Sequence, residues 1–216
     1  GRAGIWNSGA LAVHNSTVSG NQSGQGGSGG AAAGGDGGGG GGFWNAAGGT
    51  LALSNSTVTL NGAGSGGPGS PAGAPGPGGG LMIEGGSAGL RHSVVAGNSV
   101  AGGADGADIF GTIESWGYNL IQATNGVSVS GILTGVQLEA DPELGPLGEL
   151  AGLPPVHLPR FGSPAVNAGD PDFAAPPDVD QRGYPRVISS ALDLGAVEVP
   201  NSTLYLAPGG SDGTNE

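Results

Sequence analysis

The phrase GIWNSGALAVHNSTVSGN, residues 4–21, is written again as FWNAAGGTLALSNSTVTLN at residues 43–61. A looser third copy runs from Ala88 to Asn98. Leu11-Ala-Val13 aligns with Leu51-Ala-Leu53 and then with Ala88-Gly-Leu90. Asn15-Ser-Thr-Val18 aligns with Asn55-Ser-Thr-Val58 and His92-Ser-Val-Val95, and the copies close on Asn21, Asn61 and Asn98. Such a repeat constrains the fold more than any composition can. One unit has too little apolar surface to bury alone and gains a core only by stacking on its neighbours.

Within each unit the alternation has period two: Leu11, Val13, Ser16 and Val18 share one side, and Ala12, His14 and Thr17 the other. That pattern predicts strand, bend and strand, not helix. Stacking in register would put Val13 on Leu53 on Leu90, and Val18 on Val58 on Val95. It would also make a ladder of Asn21, Asn61 and Asn98, whose amides can satisfy turn backbone groups. Aromatic residues are only 5% of the chain, which suits a narrow core of small aliphatics in a coil of parallel strands. A small antiparallel sandwich of hairpins is the alternative, but it gives no reason for like residues to recur at like positions.

Glycine supplies 51 of 216 residues, without the G-X-Y period of collagen. Much of it lies in two runs, residues 23–42 and 62–80, which separate the repeats. They read as loops thrown out from one corner of the coil, since the entropy of closing a loop grows slowly with its length.

The formal net charge is −12, from 17 acidic and 5 basic residues, and every base is arginine. Before Glu84 the only charged side chains are Arg2 and Asp36. A chain with no basic patch cannot neutralise phosphates, so nucleic-acid binding is excluded as an expectation, as is attraction to an anionic membrane. The apolar stretches are far too short for a spanning helix, so no direct membrane insertion is expected.

The later half carries ADIFGTIESWGYNLI (107–121), DPELGPL (141–147), GSPAVNAGDP (162–171), DQRGYPR (180–186) and LDLGAVE (192–198), in that order. Together with the repeats, these phrases resemble bacterial right-handed parallel β-helix proteins, and among them the choice-of-anchor Q group. AGLPPVHLP (151–159) departs from the Gly-Gly and threonine-rich phrase of that group. The resemblance implies an all-β fold, a right-handed parallel β-helix (solenoid) with long glycine-rich loops over residues 1–200, in about five to eight short coils. It also implies an exported protein, extracellular or at the cell surface. The C-terminal phrases are expected to cover an open end of the coil, with Arg182 or Arg186 pairing to Asp178 or Asp180.

Residues 201–216 form a separate segment, in which NSTLYLAPGGSDGTNE resembles the opening of such a domain. The first rung, with Ile5 and Trp6, and an opening-type strand with Leu204, Tyr205 and Leu206 read as complementary unfinished ends. The expectation is a structural or adhesive module in a tandem or head-to-tail assembly, with self-association or adjacent β-helix domains as partners. The alternative is a carbohydrate-active or carbohydrate-binding β-helix, with surface carbohydrate as the partner.

Catalytic chemistry finds little material. A lyase acting beside a uronate needs an Arg or Lys base, commonly with Ca²⁺, yet Arg91 is the only base between Arg2 and Arg160. A hydrolase needs two facing carboxylates; Asp105 and Asp108 read more simply as a loop capping the next strand. No catalytic residue and no cofactor are assigned. Asp170, Asp172, Asp178 and Asp180 are the candidate ligands for a structural Ca²⁺, although their spacing matches neither an EF-hand nor a calcium roll. His14, His92 and His157 lack metal-binding spacing, and Trp6 with Trp44 suggests packing at a corner before it suggests a sugar strip.

Overall fold

A computed structural model describes residues 3–149 and 152–200. The first coil is β1 (Ile5–Asn7), β2 (Ala10–His14) and β3 (Thr17–Ser19); the second is β4 (Phe43–Asn45), β5 (Thr50–Ser54) and β6 (Thr57–Thr59). The third is β7 (Leu81–Ile83), β8 (Ser87–Arg91) and β9 (Val94–Ala96). Then β10 (Ile109–Trp116) and β11 (Leu120–Ile121) make a fourth level, and β12 (Val127–Ile132) and β13 (Gln137–Leu138) a partial fifth. All of these pair in parallel with the equivalent strand of the next level, so the fold is all-β and solenoid-like, with three faces. β10 is long because it runs straight from the first face, beside β7, onto the second, beside β8. A hairpin, β14 (Leu144–Gly148) and β15 (Val156–Pro159), is antiparallel, and no helix occurs among the described residues.

The registers follow from the alternation. Ile5, Phe43, Leu81 and Ile109 make one inward row, Val13, Leu53 and Leu90 another, and Val18, Val58, Val95 and Ile121 a third. Adjacent members are about 4.8 Å apart, the strand spacing, so short aliphatics fill the interior. Between the second and third faces each coil turns through a left-handed residue: Asn15 (φ 46°), Asn55 (φ 49°), His92 (φ 49°) and Tyr118 (φ 54°). Asparagine is at home there, which is why Asn-Ser recurs at the bend. The next bend uses Gly20 (φ 71°), Leu60 (φ 55°) and Gly97 (φ 67°), and only Leu60 lacks a reason to tolerate it.

The glycine runs are not loops thrown into solvent. Gly26 and Gly29 donate to Ser65 O and Pro68 O, and Gly34, Gly37 and Gly40 to Pro71 O, Ala74 O and Pro77 O, all at 2.8–3.0 Å. Within the first run Gly35 and Gly38 donate back to Gly27 O and Gly24 O; Gly73 and Gly76 donate to Gly67 O and Gly64 O in the second. Gly64 and Gly67 cross between the runs to Gly38 O and Gly35 O. Every series advances by three residues, the turn of a polyproline II helix. Two folded runs thus stack as two layers of extended three-fold segments, bonded to each other because such a helix has no internal hydrogen bonds. Glycine is obligatory in this lattice: a Cβ at Gly37, Gly64 or Gly67 would lie on the carbonyl oxygen of Gly64, Gly24 or Gly27.

The C-terminal segment also departs from expectation. It runs along the outside of the third face instead of covering an open end. Thr57, Thr59, Val94 and Ala96 point outward there and are buried all the same. Leu194 and Ala165 pack with Val94, Ala96 and Leu120, Gly195 donates to His92 O, and Ala196 donates to Thr57 Oγ1. The His157 ring holds the hairpin to β3: its Nδ1–H donates to Gly145 O at 2.8 Å, leaving Nε2 to accept from the Ser19 hydroxyl at 2.8 Å. Outward threonine and valine made a second interior possible, and the irregular segment fills it.

Candidate assembly surface and polar clusters

β1, β2 and β3 each pair on one side only among the described residues. Their inward residues Ile5, Leu11, Val13 and Val18 pack against the core yet remain partly open. The equivalent residues one level on, Phe43, Leu51, Leu53 and Val58, are at most 1% exposed. Among the described residues the second coil has strands on both sides, and the first on one. Trp6 lies outward beside Ile5, 47% exposed, in register with Trp44 and Met82. Leu204, Tyr205 and Leu206 lie outside the described residues. At the other end Ile132 and Leu138, in β12 and β13, are 56% and 48% exposed.

The asparagine ladder is continuous and directional. Asn21 Nδ2 donates to Asn61 Oδ1 (2.9 Å), Asn61 Nδ2 to Asn98 Oδ1 (3.0 Å), and Asn98 Nδ2 to Asp108 Oδ1 (2.9 Å). The same acceptors take the backbone N–H of Asn21, Asn61 and Asn98. A ladder in which each amide donates forward must end on a group that only accepts, and Asp108 is that group. Its other oxygen accepts from Ala123 N at 2.7 Å, so the residue does cap the next turn. Burial raises the pKa of Asp108, opposed by the bonds from Asn98 and Ala123.

The left-handed bend aims Asn15, Asn55 and His92 at the C-terminal segment. Asn15 Nδ2 donates to Val179 O at 2.7 Å, and the Asn55 oxygen accepts from Arg186 Nε and Nη2 at 3.2 and 2.9 Å. His92 Nε2 accepts from Asp170 N at 3.3 Å, which leaves the proton on Nδ1, a buried atom without a partner. Burial first, and then the Arg91 charge, lower the His92 pKa to about 4.

Behind this row sits a buried ionic cluster that sequence reading found only in part. Arg182 pairs with Asp180 at 2.6 Å. Arg186, 1% exposed, donates to the carbonyls of Asp193 and Gly195 and is among the largest fully buried side chains of the described residues. Asp193 accepts from Asn167 N and Val199 N, and Glu198 Oε2 accepts from Asp193 N. Three carboxylates therefore share two guanidiniums. Burial pushes the Glu198 pKa up to about 8, with the Asp193 charge adding to the shift and Arg186 opposing it. Burial likewise raises Asp193 and lowers Arg186. Nothing in DQRGYPR or LDLGAVE distinguishes Arg186 from an exposed arginine; only the packed segment does.

The four calcium candidates do not converge. Asp180 is 3% exposed and already accepts from the N–H groups of Arg182, Tyr184 and Glu198 besides the Arg182 guanidinium. Asp170 pairs with Arg91 at 3.3 Å and accepts from Asp172 N, while the Asp178 carbonyl accepts from Arg186 N. Among the described residues no three acidic or histidine side chains gather as a metal site. A cleft of about 280 Å³ opens between His14, Ser54 and Arg91 on the strands and Phe173, Pro176 and Pro177 on the C-terminal segment; its lining has no carboxylate. Comparison with family models, with curated proteins and with solved structures finds no match.

Proposed function

We propose that the chain is an extracellular structural or adhesive module, a right-handed parallel β-helix of the choice-of-anchor Q type, and part of a tandem or head-to-tail assembly. The carrying observation is the stack of parallel levels with like residues in register, Val13 on Leu53 on Leu90 and Val18 on Val58 on Val95. The absence of a carboxylate pair in the one cleft beside Arg91 favours this reading over carbohydrate cleavage. Sedimentation of the full chain over a wide concentration range tests it. Species larger than one chain, with β1–β3 amides protected from exchange only when associated, are expected. A chain that stays monomeric at the highest concentration overturns the reading, as does product release from acidic polysaccharides.

A further inference from the structure

We propose that the cleft between the second strand face and the C-terminal segment binds a small organic carboxylate with an apolar body, its carboxylate held by Arg91 and by the Nδ1–H of His92. The site is independent of the assembly proposed above. His14, Ser54 and Arg91 end β2, β5 and β8 in one register row, so they follow one another at about 4.8 Å along the strand side of the cleft. His14 Nδ1 is bonded to the Ser54 hydroxyl. Phe173, Pro176 and Pro177 line the cleft from the C-terminal segment, and His92 is also part of its lining. The His92 and Phe173 rings meet edge-on, with centroids 5.5 Å apart.

Both anchoring donors have bonds still to give. A guanidinium carries several N–H donors. Among the described residues that of Arg91 donates only to Asp170 Oδ2, at 3.3 Å, and its side chain is 45% exposed. Arg182 and Arg186, by contrast, are committed inside the buried ionic cluster. His92 is wholly buried, and its Nδ1 is a buried atom with no partner. Because Nε2 accepts from Asp170 N, Nδ1 carries the hydrogen. A buried donor without an acceptor is costly, and a carboxylate in the cleft supplies one. The arginine fork beside it suits a carboxylate in particular, which accepts from more than one donor at once.

The rest of the lining selects the body of the ligand. No carboxylate lines the cleft, and the oxygen of Asn55 in its wall already accepts from Arg186. Sugar hydroxyls would therefore find few acceptors, and each one left unpaired weakens binding. Phe173, Pro176 and Pro177 offer an aromatic ring and two proline rings to an apolar body instead. A volume of about 280 Å³ lies just below the usual range for ligand sites, about 300–1,000 Å³, and limits the ligand to about one ring. Asp170 opposes binding, since its carboxylate competes with the ligand for Arg91.

Phenylacetate is the probe, with phenylacetamide as its neutral counterpart and glucuronate as a carboxylate on a hydroxyl-rich ring. Calorimetric titration of the full chain should show a single saturable site for phenylacetate, with both other compounds weaker by about tenfold or more. Arg91→Gln should weaken phenylacetate by about tenfold or more, the loss expected for a hydrogen bond to a charged group. Asp170→Asn keeps an oxygen to accept from Asp172 N but removes the competing charge, and should tighten phenylacetate severalfold. Both variants break the same exposed ion pair, so a purely structural role for that pair would not move affinity in opposite directions. Melting temperatures close to the parent's confirm that both variants are folded. The proposal is overturned if phenylacetate fails to saturate, if phenylacetamide binds equally well, if glucuronate binds more tightly, or if the two variants shift affinity the same way.

Discussion

The strand faces and the glycine lattice lie side by side on the same coils and are held together by opposite means. On the faces, side chains do the work: Leu53 and Leu90 are wholly buried, in register, and surrounded by other aliphatics. In the lattice there are almost no side chains, and cohesion comes from amide-to-carbonyl bonds every third residue. The faces tolerate change in shape but not loss of volume; between its layers, as at Gly37, Gly64 and Gly67, the lattice tolerates no added volume. Both obey the rule that buried backbone groups must be paired.

Breaking each region in its own way should expose the contrast. Leu53→Ala is expected to cost about 2–5 kcal/mol in urea unfolding, the range for truncating a buried leucine. Gly67→Ala, which in a floppy loop would be neutral, is expected to cost about 1–3 kcal/mol, because the obstructing atom is backbone and cannot swing away. Gly27→Ala, with open space around it, should stay within about 0.5 kcal/mol of the parent. Equal, near-zero effects at Gly67 and Gly27 would show that the runs are loops after all.

Where the two regions meet, Asn61→Ala removes a fully buried amide that donates to Val18 O, Thr59 O and Asn98 Oδ1 and accepts from Asn21. Orphaning those groups should cost about 2–3 kcal/mol, comparable with core truncation though little apolar surface is lost.

The pH profile sharpens the comparison further, because His92 on the coil and Glu198 in the C-terminal segment titrate in opposite senses. Glu198 has its pKa raised from 4.5 to about 8, so between those values the folded state keeps a proton that the unfolded chain releases. Stability should fall as pH rises through that window, and level off above it. Glu198→Gln should flatten this limb. His92 is lowered from 6.5 to about 4, so between those values the unfolded chain takes up a proton that the folded one refuses. Its contribution to stability should be lost as pH falls from 6.5 towards 4. Urea midpoints measured from pH 4 to 9 for both forms of residue 198 check the signs.

A small gain, not a loss, is expected for Leu60→Gly. Leu60 sits at φ 55° where its counterparts are glycine, and 58% of it is exposed. Relief of the left-handed strain should outweigh the added freedom of glycine when unfolded, raising stability by a few tenths to about 1 kcal/mol. A loss of stability would mean that the exposed side chain packs more than its burial suggests.

Much of the solenoid was legible because its determinants are local and repeated. The alternation from Leu11 to Val18, and its copies, dictate strand and bend. Three copies of the same inward set leave stacking as the only way to bury them, hence the parallel registers of Val18, Val58 and Val95. Glycine's role was misread for a related reason. Residues 23–42 and 62–80 have no side-chain pattern, and their three-residue order lies in backbone bonds that composition does not reveal. The prolines at 68, 71, 75 and 77 carried a hint of extended three-fold chain, but not of its partner.

What the sequence alone determined is therefore the repeating unit: which residues face inward, where each coil bends, and that the strands stack in parallel. The tertiary structure decided everything that depends on two unlike segments meeting. It placed Asp108 at the end of the asparagine ladder, the C-terminal segment along the third face, and Arg186 in a buried cluster. The reason is physical: periodic burial is written in side chains a few residues apart, whereas pairing between distant, irregular segments rests on shape and backbone hydrogen bonding that exist only once the chain has folded.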